Sequence, residues 1–425
     1  MSDYREMWAG LGLDVKMHEA LLAGLGAGYQ QIFLSQKNRP EAMQYFDFVM
    51  SEVHGLRIQE LLDAKAEGRI VVGSFCVFVP EELILAVDGI SVGLCTGADF
   101  GVDLAEKILP RNTCALIKSA FGFNLSKVCP YMASSDIIVG ENTCDGKKKS
   151  YEEFGKLVDN LYVMDLPQTK SMEGKALLRA EYKRLMKALE EKSGKKITME
   201  SLKKAIEIVN NKRKAVHRLA LLRAADPSPL SGLDGLLINQ IFFYDNPLRF
   251  TDSVNKLCDE LEERIAKKAG VFPQGTPRLL VSGCPMAVPN WKLPSIIETS
   301  GAVIVGEESC VGERGTRNET CTCGESIEDL LENIVERYFN IDCAIFTPNP
   351  DRKNHIVEMA KKYKADGVVH YALQFCQPYD IESHNVEKEL ESEGIPVLNL
   401  VTDYSGEDVG QLSTRIEAFI ERIKE

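Results

Sequence analysis

The chain has 425 residues, of which 44% are hydrophobic and 27% are charged, a composition typical of a globular protein with two or three domains. Its formal net charge of −13 argues against a general nucleic-acid-binding protein, because such proteins carry basic surfaces that neutralise phosphates. No segment reaches the roughly 18 apolar residues of a membrane span, and the N-terminal residues lack the pattern of a signal peptide. We therefore expect a cytoplasmic protein.

The order of predicted elements begins with helices. Residues 1–65 are predicted to be helical, because apolar residues recur three and four positions apart. From Arg69, the β-branched run RIVVGSF predicts a strand, and Pro80 followed by two acidic residues predicts the start of a helix. The same succession of strand, turn and cysteine recurs in SDIIVGENTCDG, RLLVSGCPMAVPN, GAVIVGEESCVGERG and DGVVHYALQFCQPYD. Helical patterns lie between these segments, so the sequence predicts β-α units with parallel strands.

This order predicts an α/β protein with two Rossmann-like or flavodoxin-like domains. We expect the first domain at residues 66–165 and the second at residues 275–425. A charged helical connector, residues 166–274, lies between them, and the helical segment 1–65 precedes them. Ligands of parallel sheets bind beyond the carboxyl ends of the strands. The functional site is therefore expected in the cleft between the two domains.

Four of the twelve cysteines are given structural interpretations. The cytoplasm keeps thiols reduced, so we do not expect disulfides. Cys258 occupies an apolar position of a predicted helix and is expected in the core, and Cys129, before a proline, is expected to be structural. The sequence has no C-x-x-C pair of the zinc or ferredoxin type. Cys321 and Cys323 lie in a polar segment that predicts a surface turn and are poor candidates for a ligand pair.

Eight cysteines remain as candidate ligands: Cys76, Cys95, Cys114, Cys144, Cys284, Cys310, Cys343 and Cys376. Any one of them alone is best interpreted as a small buried apolar residue. Most of them, however, follow a predicted strand or lie in a turn, often beside glycine or proline. Backbone amides at such positions can point at sulfur, as they do around iron–sulfur clusters. A hint of internal repetition sets Cys76, Cys114 and Cys144 beside Cys284, Cys343 and Cys376, which would place two sets of thiols face to face.

Five segments carry a resemblance to a known family: GSFCVFVPEELILAVDGISVGLCTG, PRNTCALIKSAFG, SDIIVGENTCDGKKKSYE, VVHYALQFCQPYDIE and GQLSTRIEAFIERI. In this order they resemble subunits of 2-hydroxyacyl-CoA dehydratases and benzoyl-CoA reductases. The additional cysteines make the chain most similar to the double-cubane cluster proteins of that family, whose 8Fe-9S centre joins two 4Fe-4S cubanes through a bridging sulfide. The resemblance implies that one cubane is held by Cys114, Cys144 and Cys376. For the second cubane we favour Cys76, Cys310 and Cys343, with Cys95 and Cys284 in reserve.

The resemblance also implies a function. It indicates ATP-dependent, low-potential reduction of small molecules such as acetylene, with single electrons supplied by a separate ATP-hydrolysing activator that carries its own 4Fe-4S cluster. The chain has no G-x-x-x-x-G-K-[ST] segment, which fits ATP hydrolysis on the partner. Two alternatives stay open, namely an (R)-2-hydroxyacyl-CoA dehydratase subunit with a single 4Fe-4S cluster and a non-catalytic low-potential electron carrier. We expect a homodimer, since the activators of the family are twofold.

Residues other than cysteine give weaker predictions. The lysines of residues 147–149 either balance the charge of a thiolate-bound cluster, pair with nearby acidic residues, or form a solvated face. Glu308, close to Cys310, is a candidate proton donor. His370 ends a predicted strand near Cys376 and is interpreted as a structural histidine.

Overall fold

The computed structural model describes residues 4–424, and the N-terminal part of this range is helical. Its four helices are α1 (Arg5–Gly10), α2 (Val15–Tyr29), α3 (Met43–Ser51) and α4 (Leu56–Ala66). A single π-helical turn, Gln30–Leu34, continues α2. The aromatic side chains of Phe33 and Phe46 are completely buried, so these helices contribute to the main hydrophobic core.

The first sheet has four parallel strands in the order β2-β1-β3-β4. Its elements in chain order are β1 (Val71–Ser74), α5 (Glu81–Ala86), β2 (Ile90–Gly93), α6 (Val102–Ala105), α7 (Ala115–Leu125), α8 (Pro130–Ser134), β3 (Ile137–Glu141), α9 (Asp145–Phe154) and β4 (Leu161–Met164). The central strand β3 is buried at every residue, as expected for a strand whose two faces are covered by helices. Pro80 immediately precedes α5, where its fixed φ suits a helix start.

Four helices separate the two sheets: α10 (Met172–Ser193), α11 (Met199–Leu222), α12 (Gly232–Ile241) and α13 (Pro247–Ala266). Every residue of α12 is buried, so this short apolar helix lies inside the molecule. The longer helix α11 is amphipathic and packs against α5 and α13. Across the residues that the structure describes, no helix is both long enough and apolar enough to cross a membrane.

The second sheet has four parallel strands in the order β6-β5-β7-β8. Its elements are β5 (Arg278–Gly283), α14 (Lys292–Thr299), β6 (Val303–Glu308), α15 (Glu313–Thr316), α16 (Ile327–Phe339), α17 (Pro350–Lys362), β7 (Gly367–Leu373), α18 (Gln377–Ser392), β8 (Val397–Thr402) and α19 (Val409–Lys424). Strands β5, β6 and β7 are buried throughout, and β8 is the partly exposed edge strand.

The two sheets repeat one topology. In each, the first strand along the chain lies between the second and the third, and the fourth pairs with the third. This arrangement is the 2-1-3-4 part of the flavodoxin-like strand order 2-1-3-4-5. The predicted α/β class with two flavodoxin-like parallel sheets is therefore confirmed. Because the topology repeats, each strand end of the first sheet has an equivalent strand end in the second.

Buried ion pairs connect the central helices to the first sheet. The Arg213 guanidinium of α11 lies 2.9 Å from the Glu82 carboxylate of α5, and Lys212 donates to Glu81 at 3.0 Å. Tyr338 of α16 donates to Glu82 at 2.7 Å. Helix α11, from the central region, and helix α16, from the region of the second sheet, thus meet at the start of α5, just after the turn that carries Cys76.

Candidate functional site

A cavity of about 1370 Å³ lies at the carboxyl ends of both sheets. Its lining includes the last residues of β1, β2 and β7, which is where ligands of parallel sheets bind. All eight candidate cysteines line it: Cys76, Cys95, Cys114, Cys144, Cys284, Cys310, Cys343 and Cys376. The structure therefore brings together, on one cavity, thiols that belong to two different sheets.

The eight cysteines form four pairs of equivalent positions in the two sheets. They lie after the first strand (Cys76 and Cys284), after the second (Cys95 and Cys310), in the connection from the second to the third (Cys114 and Cys343), and after the third (Cys144 and Cys376). The sequence comparison of the two halves matched three of these pairs. The structure adds the fourth, Cys95 with Cys310.

Three of the cysteines are the residues immediately before helices. Cys114, Cys144 and Cys376 are the N-cap residues of α7, α9 and α18. Interaction with backbone N–H groups in the first turn of each helix favours the ionised form of the thiol. These positions suit thiolate ligands, because the free amides and the helix dipole both stabilise negative charge.

The thiols form one chain of interactions around the cavity, in which Cys376 also interacts with Cys284 and Cys310 also interacts with Cys95. Cys114 interacts with both Cys376 and Cys144, and these three predicted ligands of one cubane are named the first trio. Cys76 interacts with both Cys310 and Cys343, and these residues are named the second trio. The trios adjoin, since Cys144 also interacts with Cys343.

The two remaining thiols have partners inside the protein. Cys95 donates a hydrogen bond to the carbonyl oxygen of Phe75, with 2.8 Å between sulfur and oxygen. Cys284 is 1% exposed, accepts a hydrogen bond from the backbone N–H of Leu373 at 3.3 Å, and lies close to Cys376. Both are therefore held by backbone contacts as well as by the cavity wall.

The donor set fits a multi-atom iron–sulfur group. Within residues 4–424, no three His, Cys, Asp or Glu side chains converge closely enough to hold a single metal ion. The eight thiols instead surround a large cavity, and all eight are free of disulfides. Soft thiolates spread around a cavity are the ligands that iron–sulfur clusters use.

Comparisons with known proteins give the family. Residues 76–423, well over half of the chain, match the family model described as 2-hydroxyglutaryl-CoA dehydratase, D-component. The chain belongs to this family. It is 36% identical over 380 residues to the YjiM protein of Escherichia coli (strain K12), provisionally named a dehydratase subunit, with 88% of this chain and 96% of that protein covered.

More distant relatives carry more specific names. The chain is 28% identical over 360 residues to the (R)-phenyllactyl-CoA dehydratase beta subunit of Clostridium sporogenes, covering 84% of this chain and 92% of that one. It is 25% identical over 319 residues to a benzoyl-CoA reductase subunit of Thauera aromatica, covering 74% of this chain and 80% of that one. The relatives of this chain thus include proteins named as dehydratase subunits and a protein named as a reductase subunit.

The cavity of this D-component family member disfavours free thiolates. Burial raises the pKa of Cys76, Cys144 and Cys343, and neighbouring thiols raise it further. The pKa of Cys114 is raised first by its hydrogen bond with Cys376 and then by burial. Such thiols stay protonated at neutral pH unless cations partner them, and bound iron would be such a cation.

Two cationic side chains lie beside the thiols. Lys147 pairs with the buried carboxylate of Glu141, and its Nζ lies 5.9 Å from the centre of the Phe75 ring. Its charge opposes the rise in the pKa of Cys76 and Cys95. The neighbouring lysines therefore have different roles, because Lys149 instead forms an exposed ion pair with Glu152 at 2.5 Å.

Arg314 is the second cation, and its guanidinium group contacts the carboxylate of Glu308. Both side chains are completely buried. Glu308 does not line the cavity, and its carboxylate accepts from Arg314 Nε at 2.7 Å, Ser282 Oγ at 2.7 Å and Arg352 Nη2 at 3.2 Å. These contacts make Glu308 a buried counter-ion, a geometry that gives no support to its role as a proton donor. His370 is also buried, and its Nε2 lies 3.4 Å from Arg352.

The four cysteines outside the cavity have structural surroundings. Cys258 is buried in α13, and Cys129 caps α8 by accepting from the backbone N–H of Met132 at 3.5 Å, as expected for structural thiols. Cys321 and Cys323 form a disulfide in an exposed turn, where the sequence analysis expected no disulfide. The expectation failed because it rested on the compartment alone and not on the proximity of the two residues.

One residue of the site, Tyr379, was not predicted from the sequence. Its ring lines the cavity, and its Oη lies 3.6 Å from Cys343 Sγ and accepts a hydrogen bond from Arg314. The sequence signal was its place in the first turn of α18, three residues after Cys376. That signal is weak, since the contact with Cys343 depends on the tertiary fold.

Proposed function

We propose that this member of the D-component family is an iron–sulfur reductase that carries an 8Fe-9S double-cubane cluster. The observation that carries the proposal is the placement of two adjoining trios of free cysteines on one cavity of a single chain. Electrons come singly from a separate ATP-hydrolysing activator with its own 4Fe-4S cluster. The protein acts as a homodimer in the cytoplasm.

Six cysteines are the proposed ligands. The first trio (Cys114, Cys144 and Cys376) holds one cubane, and the second trio (Cys76, Cys310 and Cys343) holds the other. Three thiolates for each cubane leave one iron of each without a protein ligand, as a bridging sulfide requires. Cys95 is left out because its thiol donates to the carbonyl oxygen of Phe75, which a thiolate ligand could not do. Cys284 stays in reserve. Once bound, the cluster supplies electrons at low potential for the reduction of substrate.

The charges of the cavity favour a small uncharged substrate such as acetylene. Three lysines line it, and each is paired with a carboxylate: Lys147 with Glu141, Lys149 with Glu152 and Lys353 with Glu389. No arginine lies among the lining residues in the described part of the chain. The phosphates of a coenzyme A thioester would require cationic partners, most often arginine.

The alternative is an acyl-CoA dehydratase subunit with one 4Fe-4S cluster held by the first trio. The names of the relatives favour it, since several of them are dehydratase subunits. It leaves the second trio without a role. A non-catalytic electron carrier is the remaining candidate, and it requires the same ligands as a reductase.

An activity assay distinguishes these functions. The protein is purified without oxygen and mixed with its cognate activator, ATP, a low-potential reductant and acetylene. We expect ATP-dependent conversion of acetylene to ethylene, which takes two electrons and two protons, and no conversion when the activator is omitted. Dehydration of a 2-hydroxyacyl-CoA without loss of acetylene would establish the alternative. Reduction and reoxidation without turnover of either substrate would indicate a carrier.

A further inference from the structure

The two trios have different surroundings. Arg314 Nη1 donates a hydrogen bond to Cys310 Sγ at 3.6 Å, and Tyr379 Oη lies 3.6 Å from Cys343 Sγ. Lys147 also interacts electrostatically with Cys76. Each cysteine of the second trio thus has a polar or cationic side chain beside it. For the first trio, the main interactions among the described residues come from backbone N–H groups, other thiols and the neutral phenols of Tyr151, Tyr371 and Tyr404, and none of these partners is a cationic side chain.

The donors of the second trio belong to one buried network. Arg314 also donates to Glu308, to the carbonyl oxygen of Gly283 at 3.2 Å, and to Tyr379 Oη. Because Tyr379 Oη accepts this bond, its own proton is available for Cys343. The Tyr379 ring packs against two guanidinium groups, and its centre lies 5.1 Å from that of Arg314 and 5.0 Å from that of Arg352. These contacts hold the phenol in one orientation.

We propose that Arg314 and Tyr379 are positioning residues that make the two halves of the cluster site unequal, so that the first electron resides at the second trio. The inference rests on the proposed double-cubane function. Reduction adds one negative charge, and hydrogen bonds to thiolates together with a nearby cation stabilise that charge and raise the reduction potential. The activator's 4Fe-4S cluster loses the electron that this site gains, and no covalent bond is formed or broken.

Redox titration of variants, followed by electron paramagnetic resonance, tests this inference. Tyr379→Phe removes one hydrogen bond to a thiolate and is expected to lower the first reduction potential. Loss of one hydrogen bond to a charged group should change the ratio of reduced to oxidised protein at a given potential by about tenfold. For a one-electron couple this corresponds to a shift of about 59 mV in the reduction potential. Glu308→Gln removes the counter-charge of Arg314 and is expected to shift the potential in the opposite direction. The matched control is Tyr404→Phe, since the Tyr404 hydroxyl is buried near Cys114 without a hydrogen-bond partner in the structure.

The outcomes separate this inference from the proposed function. Shifts of opposite sign in Tyr379→Phe and Glu308→Gln, with full iron content and an unchanged Tyr404→Phe control, support it. Full iron content with unshifted potentials in both variants overturns it and leaves the double-cubane function intact. Loss of iron from both variants would assign the network a purely structural role and also overturn the inference. A wild-type protein with only one 4Fe-4S cluster would instead refute the proposed function.

Discussion

Replacing Cys310 by serine is expected to remove half of the iron. Cys310 belongs to the second trio, and its sulfur has no backbone partner among the hydrogen bonds of the described residues. A hydroxyl is a poor substitute for a soft thiolate, so one cubane loses a ligand while the first trio keeps all three of its thiols. The expected iron content falls from about eight to about four atoms per chain, with the visible absorbance reduced in proportion.

The matched control is Cys95→Ser, at the equivalent strand end of the first sheet. Its hydroxyl can still donate to the carbonyl oxygen of Phe75, which Cys95 contacts at 2.8 Å. This variant is expected to keep the wild-type iron content. Iron and acid-labile sulfide are measured in both variants after anaerobic purification, and circular dichroism checks that both are folded. Full iron content in Cys310→Ser, or loss of half of the iron in Cys95→Ser, would refute the assignment of ligands.

Three further predictions concern stability and are measured by urea denaturation. Lys147→Met leaves the buried carboxylate of Glu141 without its cation, so the free energy of unfolding should fall by about 3–5 kcal/mol. The double variant Lys147→Met, Glu141→Gln has no unpaired carboxylate there and should regain part of the lost stability. Gly283→Ala places a side chain at φ +132° against the carbonyl oxygen of Tyr371 and should cost about 2 kcal/mol or more. Burial raises the pKa of Glu298 from 4.5 to about 7, so the folded state binds this proton more tightly than the unfolded state does. The resulting stabilisation is lost as pH rises from about 4.5 to about 7, and Glu298→Gln should abolish this loss.

The fold was predictable because its signals are local. β-Branched runs, helix-starting residues and cysteines just past strand ends were enough to place β1, β3, β5, β6 and β7 and the site at their carboxyl ends, but β2, β4 and β8 were not predicted. Cys144 is an example, since a buried strand precedes it and a helix with acidic and glycine residues follows it. The sequence could not give the strand order, which depends on pairing between distant segments.

The inner network of the site was not predictable for the same reason. Arg314 and Tyr379 are 65 positions apart, on segments that follow different strands, and nothing local indicates that they meet. The sequence suggested Glu308 as a proton donor because it lies two residues before Cys310. In the structure, the end of β6 directs its carboxylate to Arg314 and Arg352 and not into the cavity.

The proposed function requires that one chain hold two cubanes. Its most direct test is the number of iron and acid-labile sulfide atoms in the wild-type protein, purified and analysed without oxygen. We expect about eight iron atoms per chain and about nine sulfides. About four iron atoms with about four sulfides would contradict it and assign the chain a single 4Fe-4S cluster.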